Sequence, residues 1–585
     1  MSFACLSLSC MYAQSDDDVE KIMNLLGYDE PEDIDEYEVE RLASYLERPV
    51  RINIASASNL RSCGLFTQFQ AASLLDYRER HGDLMSYSEL ALVDGFTEEK
   101  VRLLIPFISL SGGSVDVDGI SQGAFVNDLA IKGGIKVSDN NPSGGYALKY
   151  RCTTGGLSAA VSASRPYGRH LDYPDVFSGH MAWEPHRKPF RIIVGDFNAR
   201  FGQGLALWNG MSMTGISKTS SFFRSSSGVS SSWSFTGSSA HTGVAGEFSI
   251  AKLRLSAFVA FPGIKSGDVG NVHMLPAVNI CRYGRNMSWS VTHYIEYAPA
   301  LPGSAGYIPD MKTSADIALC VSGTDLFSEV ALDWVSRTVA ALAGVRFPAG
   351  EDVNMACHLR YYPASFSPLR SAAPRSVSKC SNEYGASFCC DYMPYESLLT
   401  GSVSFDAAYL PVSKDDKVES VHMKAVADCE MKISDFLRLK LRLSERFRTW
   451  GRNYKTDVRA DLIWEVSGFS LSGRFNMMRY VDTGFLGYLE SGYKAETFSI
   501  YLRQLFFRID DWDDRIYVYE RDAPGSFSVP AFYGRGMNTA FMASWRFSRW
   551  GRVYAKASLT TYPFMPQQKK KPGKAELKLQ CVFSF

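Results

Sequence analysis

A large antiparallel β-barrel set in a membrane, with a small α-helical domain ahead of it, is the fold this sequence predicts. Three observations predict it. Apolar and polar residues alternate strictly along many short segments between about residue 124 and the end of the chain. Over that length no helical segment is long enough to cover a sheet face, as a soluble sandwich with helices packed on it would need. Aromatic residues gather at the ends of the strand-like segments, among them Trp450, Tyr480, Tyr488, Trp545, Trp550 and Tyr562, in the manner of the girdles that flank a bilayer.

The alternation is clearest in the C-terminal half. Val421, Met423, Ala425, Ala427, Cys429, Met431 and Ile433 share one parity; His422, Lys424, Val426, Asp428, Glu430 and Lys432 share the other. Leu437, Leu439, Leu441 and Leu443 alternate with Arg438, Lys440 and Arg442, and Val458, Ala460, Leu462, Trp464 and Val466 with Arg459, Asp461 and Glu465. Such strands put an apolar face toward lipid and a charged face toward a polar lumen. At about 10 membrane residues per strand plus turns, residues 124–585 allow roughly 20–26 strands. An even number returns both termini to the periplasmic side.

Composition agrees. The 585 residues exceed one ordinary core, so at least two domains are expected. The 62 basic and 62 acidic residues cancel, which removes any global attraction to nucleic acid. No apolar run reaches the roughly 18 residues of a membrane helix, but barrel strands hide their apolar face by alternation.

In chain order, residues 1–14 (MSFACLSLSCMYAQ) read as a shortened secretory signal ending at Tyr12-Ala13-Gln14, with a lipoprotein signal at Cys10 as the rival. Residues 15–50 are acidic and helical in period. Val19, Ile22, Met23, Leu25 and Leu26 lie on one apolar face and Tyr37, Val39, Leu42, Tyr45 and Leu46 on another, which predicts a helical pair packed on residues 51–110. Those sixty residues hold two pairs of short helices. Residues 71–80 repeat apolar side chains at helical spacing, Ser86 with Glu89 forms a capping box, and Thr97 opens a last helix that stops before Pro106. Residues 111–123 are a linker, and the barrel spans 124–585.

Two segments break the strand rhythm: the Gly-rich run 195–205, with its Gly202-Gln203-Gly204, and the Ser/Gly-rich stretch Met211–Gly243. The first lacks the lysine and the helix of a phosphate loop, so a tight turn or a plug contact is the reading adopted. Catalytic chemistry is not expected. The nine histidines are scattered and there is no Cys-x-x-Cys. Most cysteines are expected to face lipid, as Cys429 and Cys581 do by parity. The acidic run Asp510, Asp511, Asp513, Asp514 reads as a charged loop rather than a calcium site, and the loop 567–572 as solvated. No cofactor or metal is expected.

The lead-in Asn53-Ile54-Ala55, the joining segment Tyr77-Arg78-Glu79-Arg80-His81-Gly82, and the turns Cys63-Gly64-Leu65-Phe66-Thr67 and Val93-Asp94-Gly95-Phe96-Thr97 carry a resemblance. Together they resemble the tandem helix-hairpin-helix module of ComEA-type competence proteins, periplasmic DNA receptors. In that family backbone N–H groups at a hairpin glycine pair grip phosphate; here one glycine of four, Gly95, is kept. The run Gly195-Asp196-Phe197 with Phe201-Gly202-Gln203-Gly204-Leu205, following such a module, resembles the helix-hairpin-helix barrel proteins of Bacteroidota outer membranes. A terminal Phe585 on the parity of Leu577, Leu579, Cys581 and Phe583 resembles an outer-membrane insertion signal. The resemblance implies an outer-membrane barrel, expected as a monomer in lipid, with its N-terminal domain in the periplasm.

Two functions are expected. The first is a channel or transport protein handling double-stranded DNA, with contacts at Thr67, Arg78, Arg80, Gly95, Thr97 and Lys100. The second is a docking protein in an envelope complex, with Phe66 and Phe96 as exposed anchors for another cell-envelope protein.

Overall fold

The computed structural model describes residues 68–110 and most of 125–585, together with single positions between Ile22 and Phe66. Larger omitted stretches of the barrel are 169–172, 186–189, 210–217, 234–239, 265–272, 300–306, 413–419, 450–453 and 567–570. The leader, almost all of the acidic segment, the linker 111–123, Trp450 and most of the 567–572 loop therefore lie outside the described residues.

The strand alternation closes a barrel. Twenty-four antiparallel strands, from Val126–Ser138 to Lys574–Ser584, pair in chain order. The last pairs back on the first in register from Lys574↔Ser138 to Ser584↔Asp128, which leaves no free edge. One short strand, Gly228–Ser231, is additional and pairs only inside the excursion between Phe190–Arg200 and His241–Ile250. Leu253–Ala260 shows the reason for closure in one segment. Leu253, Leu255 and Val259 are exposed, while Arg254, Ser256 and Phe258 are buried on the other parity. The parities of residues 421–466 obey the same rule. Met423, Met431, Leu441, Leu443, Leu462 and Trp464 face outward; His422, Lys440 and Asp461 are buried within. This is an outer-membrane barrel, because a band of exposed apolar side chains around a polar interior satisfies its backbone only when the sheet is closed in lipid.

The two ends differ. Connections on the side of both termini run from two to six residues. Gly155-Gly156, Ser322-Gly323 and Ser467-Gly468 have positive φ at both positions, the type I′ geometry that matches strand twist. At Gly468 a Cβ would stand 2.6 Å from the Lys494 carbonyl oxygen, so the turn excludes a side chain there. The opposite end carries the long loops. Short turns face the periplasm in barrels of this kind and long loops face outside.

Aromatic girdles mark both ends, but not with the whole set predicted. Near the short-turn end Trp545, Phe547, Trp550 and Phe583 pack together, as do Phe469, Tyr493 and Phe498. At the loop end Tyr361, Tyr384 and Tyr409 stack in a row. Tyr488 and Tyr562 are corrections: both are buried. Tyr488 shares the parity of Glu490 and lies against Arg474 and Arg503 in the lumen. The cysteines divide. Cys152, Cys357, Cys390, Cys429 and Cys581 are partly exposed on the outward parity; Cys281, Cys320 and Cys389 face inward, and Cys380 is buried in a loop. Cys389 and Cys390 do point to opposite faces.

The N-terminal module is small and helical. Three short helices are described: α1 (Gln68–His81), α2 (Tyr87–Leu90) and α3 (Glu98–Leu104). Helix α3 ends at Leu104, before Pro106 as the sequence predicts, and a 3-10 turn, Ile105–Phe107, follows it. The predicted caps are present: Ser86 Oγ accepts from Glu89 N at 3.1 Å, and Thr97 Oγ1 from Lys100 N at 3.2 Å. Glu89 completes the box by accepting from Met85 N at 2.7 Å. Two-residue parallel strands, Val50–Arg51 and Ile108–Ser109, tie the ends of the unit together. Asn53 bonds across it, donating to the Leu84 and Leu110 carbonyls at 2.9 and 2.8 Å and accepting from Leu84 N at 2.9 Å. Ile22, Leu25, Leu42 and Tyr45 are buried in the same cluster as Leu74, Leu90, Leu104 and Phe107, as a helical pair packed on the module requires.

Candidate functional site: the barrel lumen

Among the described residues, three loops from the long-loop end fold into the lumen, and each is held by charges on the wall. The first leaves strand Phe190–Arg200. Gly202 and Gly204 take positive φ and turn the backbone so that the amides of Gln203 and Leu205 point at one carboxylate. That carboxylate is Glu329, inward on Thr324–Asp333, which accepts at 2.7 and 3.0 Å. A Cβ on Gly202 would meet it at 2.8 Å. The Gly-Gln-Gly run is thus a plug contact and not a phosphate loop. It is secured from below by Asp196, which accepts from Ser178 Oγ, Gly179 N and Thr242 Oγ1 and so joins three strands.

The second loop, 363–382, lies against the first. Ala372 N donates to Gly204 O at 2.9 Å and Trp208 N to Arg370 O at 3.0 Å. Arg370 reaches the buried wall carboxylate Glu296 at 2.8 Å, and Arg224, from the first loop, donates to the Ala372 carbonyl at 2.6 Å. Apolar side chains fill the space between: Phe201, Leu205, Leu207, Phe366 and Ala373 are buried with wall residues Tyr294 and Tyr362.

The third loop, 510–533, closes on the far wall. The side chain of Asp522 is buried and accepts from Lys556 Nζ at 3.0 Å and Lys578 Nζ at 2.6 Å. Glu520 pairs with the same Lys556 at 2.7 Å, and Glu490 receives both Arg503 and Arg521 at 2.7 Å. Ile516, Val518 and Phe532 pack on inward Leu486, Leu505 and Phe507. The acidic run is dispersed: Asp510 pairs with Arg535, Asp511 caps Asp513 N, and Asp514 accepts from Val481 and Asp482 N. Among the described residues no group of three or more metal-ligating side chains converges.

Sequence reasoning singled out the Gly202-Gln203-Gly204 run and the acidic run 510–514, but not the wall charges Glu296, Glu329, Glu490, Lys556 and Lys578 that hold the loops. A signal was present in the parity. Leu486, Leu505, Phe507 and Phe258 are apolar on strands whose same face carries Glu490, Arg503 or Arg254. An apolar side chain on the lumen face marks wall that a loop covers.

The residues proposed from the resemblance are mostly engaged within the module. Thr67 lies outside the described residues. Arg78 donates to Ala55 O at 2.8 Å, and Arg80 pairs with Asp76 at 2.9 Å while remaining exposed. Lys100 Nζ donates to Leu25 O at 3.2 Å, and its burial lowers its pKa. Gly95 has φ +84° and its carbonyl accepts from Gln70 Nε2 at 2.7 Å. Gly95 and Thr97 are exposed. Phe66 and Phe96 are a correction to the picture of exposed tips: they are 7% and 6% exposed and meet edge to face at 5.8 Å, inside the module core.

No family model matches the chain, and no curated protein does. Among solved structures it is similar to the copper transporter OprC (8% identity, 78% of this chain and 81% of that one, TM-score 0.40). It is similar also to the siderophore receptor PirA from Pseudomonas aeruginosa (9%, 79% and 81%, TM-score 0.41) and to the P pilus usher PapC translocation pore (10%, 79% and 99%, TM-score 0.29). At such identities and scores the likeness carries no argument about this chain. Fold and site together define the class on their own: an outer-membrane β-barrel whose own loops enter its lumen.

Proposed function

We propose that the protein is an outer-membrane channel or transport protein, shut at rest by its three inward loops, that performs no catalysis of its own. The observation that carries this reading is the seating of the loops on buried charges, Glu329, Glu296 and Asp522, of the barrel wall and the loops themselves. A loop held by ion pairs and hydrogen bonds exchanges readily between a seated and a solvated state, because water replaces the partners it leaves. Swelling of proteoliposomes containing the full chain tests it. The wild type is expected to admit small sugars slowly and Asp522→Ala faster; equal rates would count against loop gating.

The periplasmic module handles what the barrel passes or docks. DNA capture, the activity implied by the ComEA-type resemblance, is supported by exposed Gly95, Thr97 and Arg80. Docking to an envelope protein is supported by the internal engagement of Arg78 and Lys100, which leaves few cations for phosphate. Binding of short duplex DNA to the full chain, titrated with salt, separates them. Steep weakening with salt and loss in Arg80→Glu favour capture; no binding at low salt leaves docking.

A further inference from the structure

On the outer face of the wall, one sector of the long-loop end finishes in arginine. Strands Phe469–Arg479, Phe498–Ile509 and Gly534–Ser548 carry Arg479, Arg508 and Arg535 on the same parity as the lipid-facing Phe475, Phe506 and Phe541. Each arginine lies ten residues from an aromatic of the short-turn girdle: Phe469 to Arg479, Phe498 to Arg508, and Arg535 to Trp545. Ten residues at about 3.3 Å each, on a strand tilted about 40°, rise roughly 25 Å, the height of the apolar band. The three positions therefore stand where hydrocarbon gives way to the headgroups of the outer leaflet.

Register gathers them. Arg508 is opposite Arg535 on one side and Phe485 on the other, and Arg479 is opposite Thr483, two residues from Phe485. Opposed residues on one face have Cβ atoms about 4.5–5.5 Å apart, where like charges repel. Two acids stand nearby. Asp510 accepts from Arg535 at 2.7 and 2.8 Å, and Asp482, in the turn after Arg479, accepts from Thr483 N at 2.8 Å. Arg479 and Arg508 are exposed and, among the described residues, make no side-chain hydrogen bond or ion pair. Farther round the same end, the row Tyr361, Tyr384 and Tyr409 faces outward without charge.

Below the arginines the wall is furrowed. Gly487 lies in register between Phe475 and Phe506, with Phe485 above it and Leu489 beneath it on the same face, and all four of these side chains are exposed. A position without a side chain between two rings leaves a shallow apolar channel leading down from Arg508.

We infer that this sector binds a phosphate-bearing lipid of the outer leaflet, with its phosphates on Arg479 and Arg508 and an acyl chain in the furrow at Gly487. Guanidinium groups present paired N–H donors that match phosphate oxygens, and their weak hydration suits a headgroup boundary. A soluble anion would use the cations and not the furrow; an uncharged lipid would use the furrow and not the cations. Binding here is independent of whether the lumen opens, since the sector lies on the outer face.

Titration of the purified full chain in detergent with diphosphoryl lipid A, read by native mass spectrometry, tests it. Micromolar binding is expected, and lipid A stripped of both phosphates should bind at least about tenfold more weakly. Arg508→Gln and Arg479→Gln are each expected to weaken the diphosphoryl lipid about fivefold. Gly487→Leu, which fills the furrow and leaves the charges, should weaken both lipids. Arg282→Gln, at an outward guanidinium of the short-turn end, is the control and should leave affinity within about twofold. Heat-modifiable gel mobility reports that each variant is still a closed barrel. Equal binding of the two lipids, unchanged affinity in both arginine variants, or an equal loss in Arg282→Gln would overturn the inference. So would pyrophosphate that displaces the lipid at equal concentration, which would make the sector a site for a soluble anion.

Discussion

Single residues set the local geometry, and two in the module show how. Asn53 satisfies three backbone groups of segments more than thirty residues away, two carbonyls and one amide. Asn53→Ala leaves them buried, at about 1–3 kcal/mol for each left unsatisfied. We expect the module to unfold at lower denaturant than the barrel in that variant, read by hydrogen exchange across residues 84–110. Glu89 is the second case. The Tyr77 hydroxyl at 2.6 Å, and then the Met85 amide, hold its carboxyl below the ordinary glutamate range, and the same bond raises the Tyr77 phenol. A folded-state pKa below the unfolded one stabilises above the unfolded value, about 4.3, and the contribution is lost as pH falls through the folded value. Protection of α2 should therefore fade in acid, and Glu89→Gln should lose less than the wild type there. These caps were legible in the sequence because Ser86 with Glu89, and Thr97 at the head of the last helix, lie within one helical turn of the amides they cap. The burial of Phe66 and Phe96 was not, since it depends on two segments thirty residues apart meeting.

At the scale of elements, strand parity was the readable quantity and loop placement was not. Period 2 assigns every side chain of Leu437–Arg448 to a face without knowledge of its neighbours. Which residues oppose one another needs the register, so that Lys424 faces Arg446 and Arg446 faces Lys455 appears only after pairing. The girdle assignment failed at Tyr488 and Tyr562 for a related reason. Position at a strand end says how deep a ring lies, while parity says whether it faces lipid. The Gly-Gln-Gly loop makes the most direct test at this scale. Glu329→Ala removes the acceptor of the Gln203 and Leu205 amides, so their exchange with solvent should quicken by at least tenfold, about 1.4 kcal/mol in opening free energy. Glu329→Gln, which keeps one acceptor oxygen, should fall between. Unchanged exchange in both would mean that the apolar packing around Phe201 and Leu205 seats the loop alone.

The described strands form a closed barrel in the outer membrane, with the start of the first and the end of the last at the short-turn end and three described loops returned into its interior. The strand number falls inside the range that chain length allowed, because a bilayer fixes strand length and length divides the chain. The state of the lumen has no such rule. It is set by loops whose polar residues read as solvated until their wall partners are known, as Asp522 does before Lys556 and Lys578 are placed beside it. Single-channel recording of the full chain in planar bilayers tests loop closure most directly. Closed or brief low-conductance states are predicted for the wild type, and long open states for Glu329→Ala combined with Asp522→Ala. Wide, steady conductance in the wild type, unaltered by both substitutions, would contradict it.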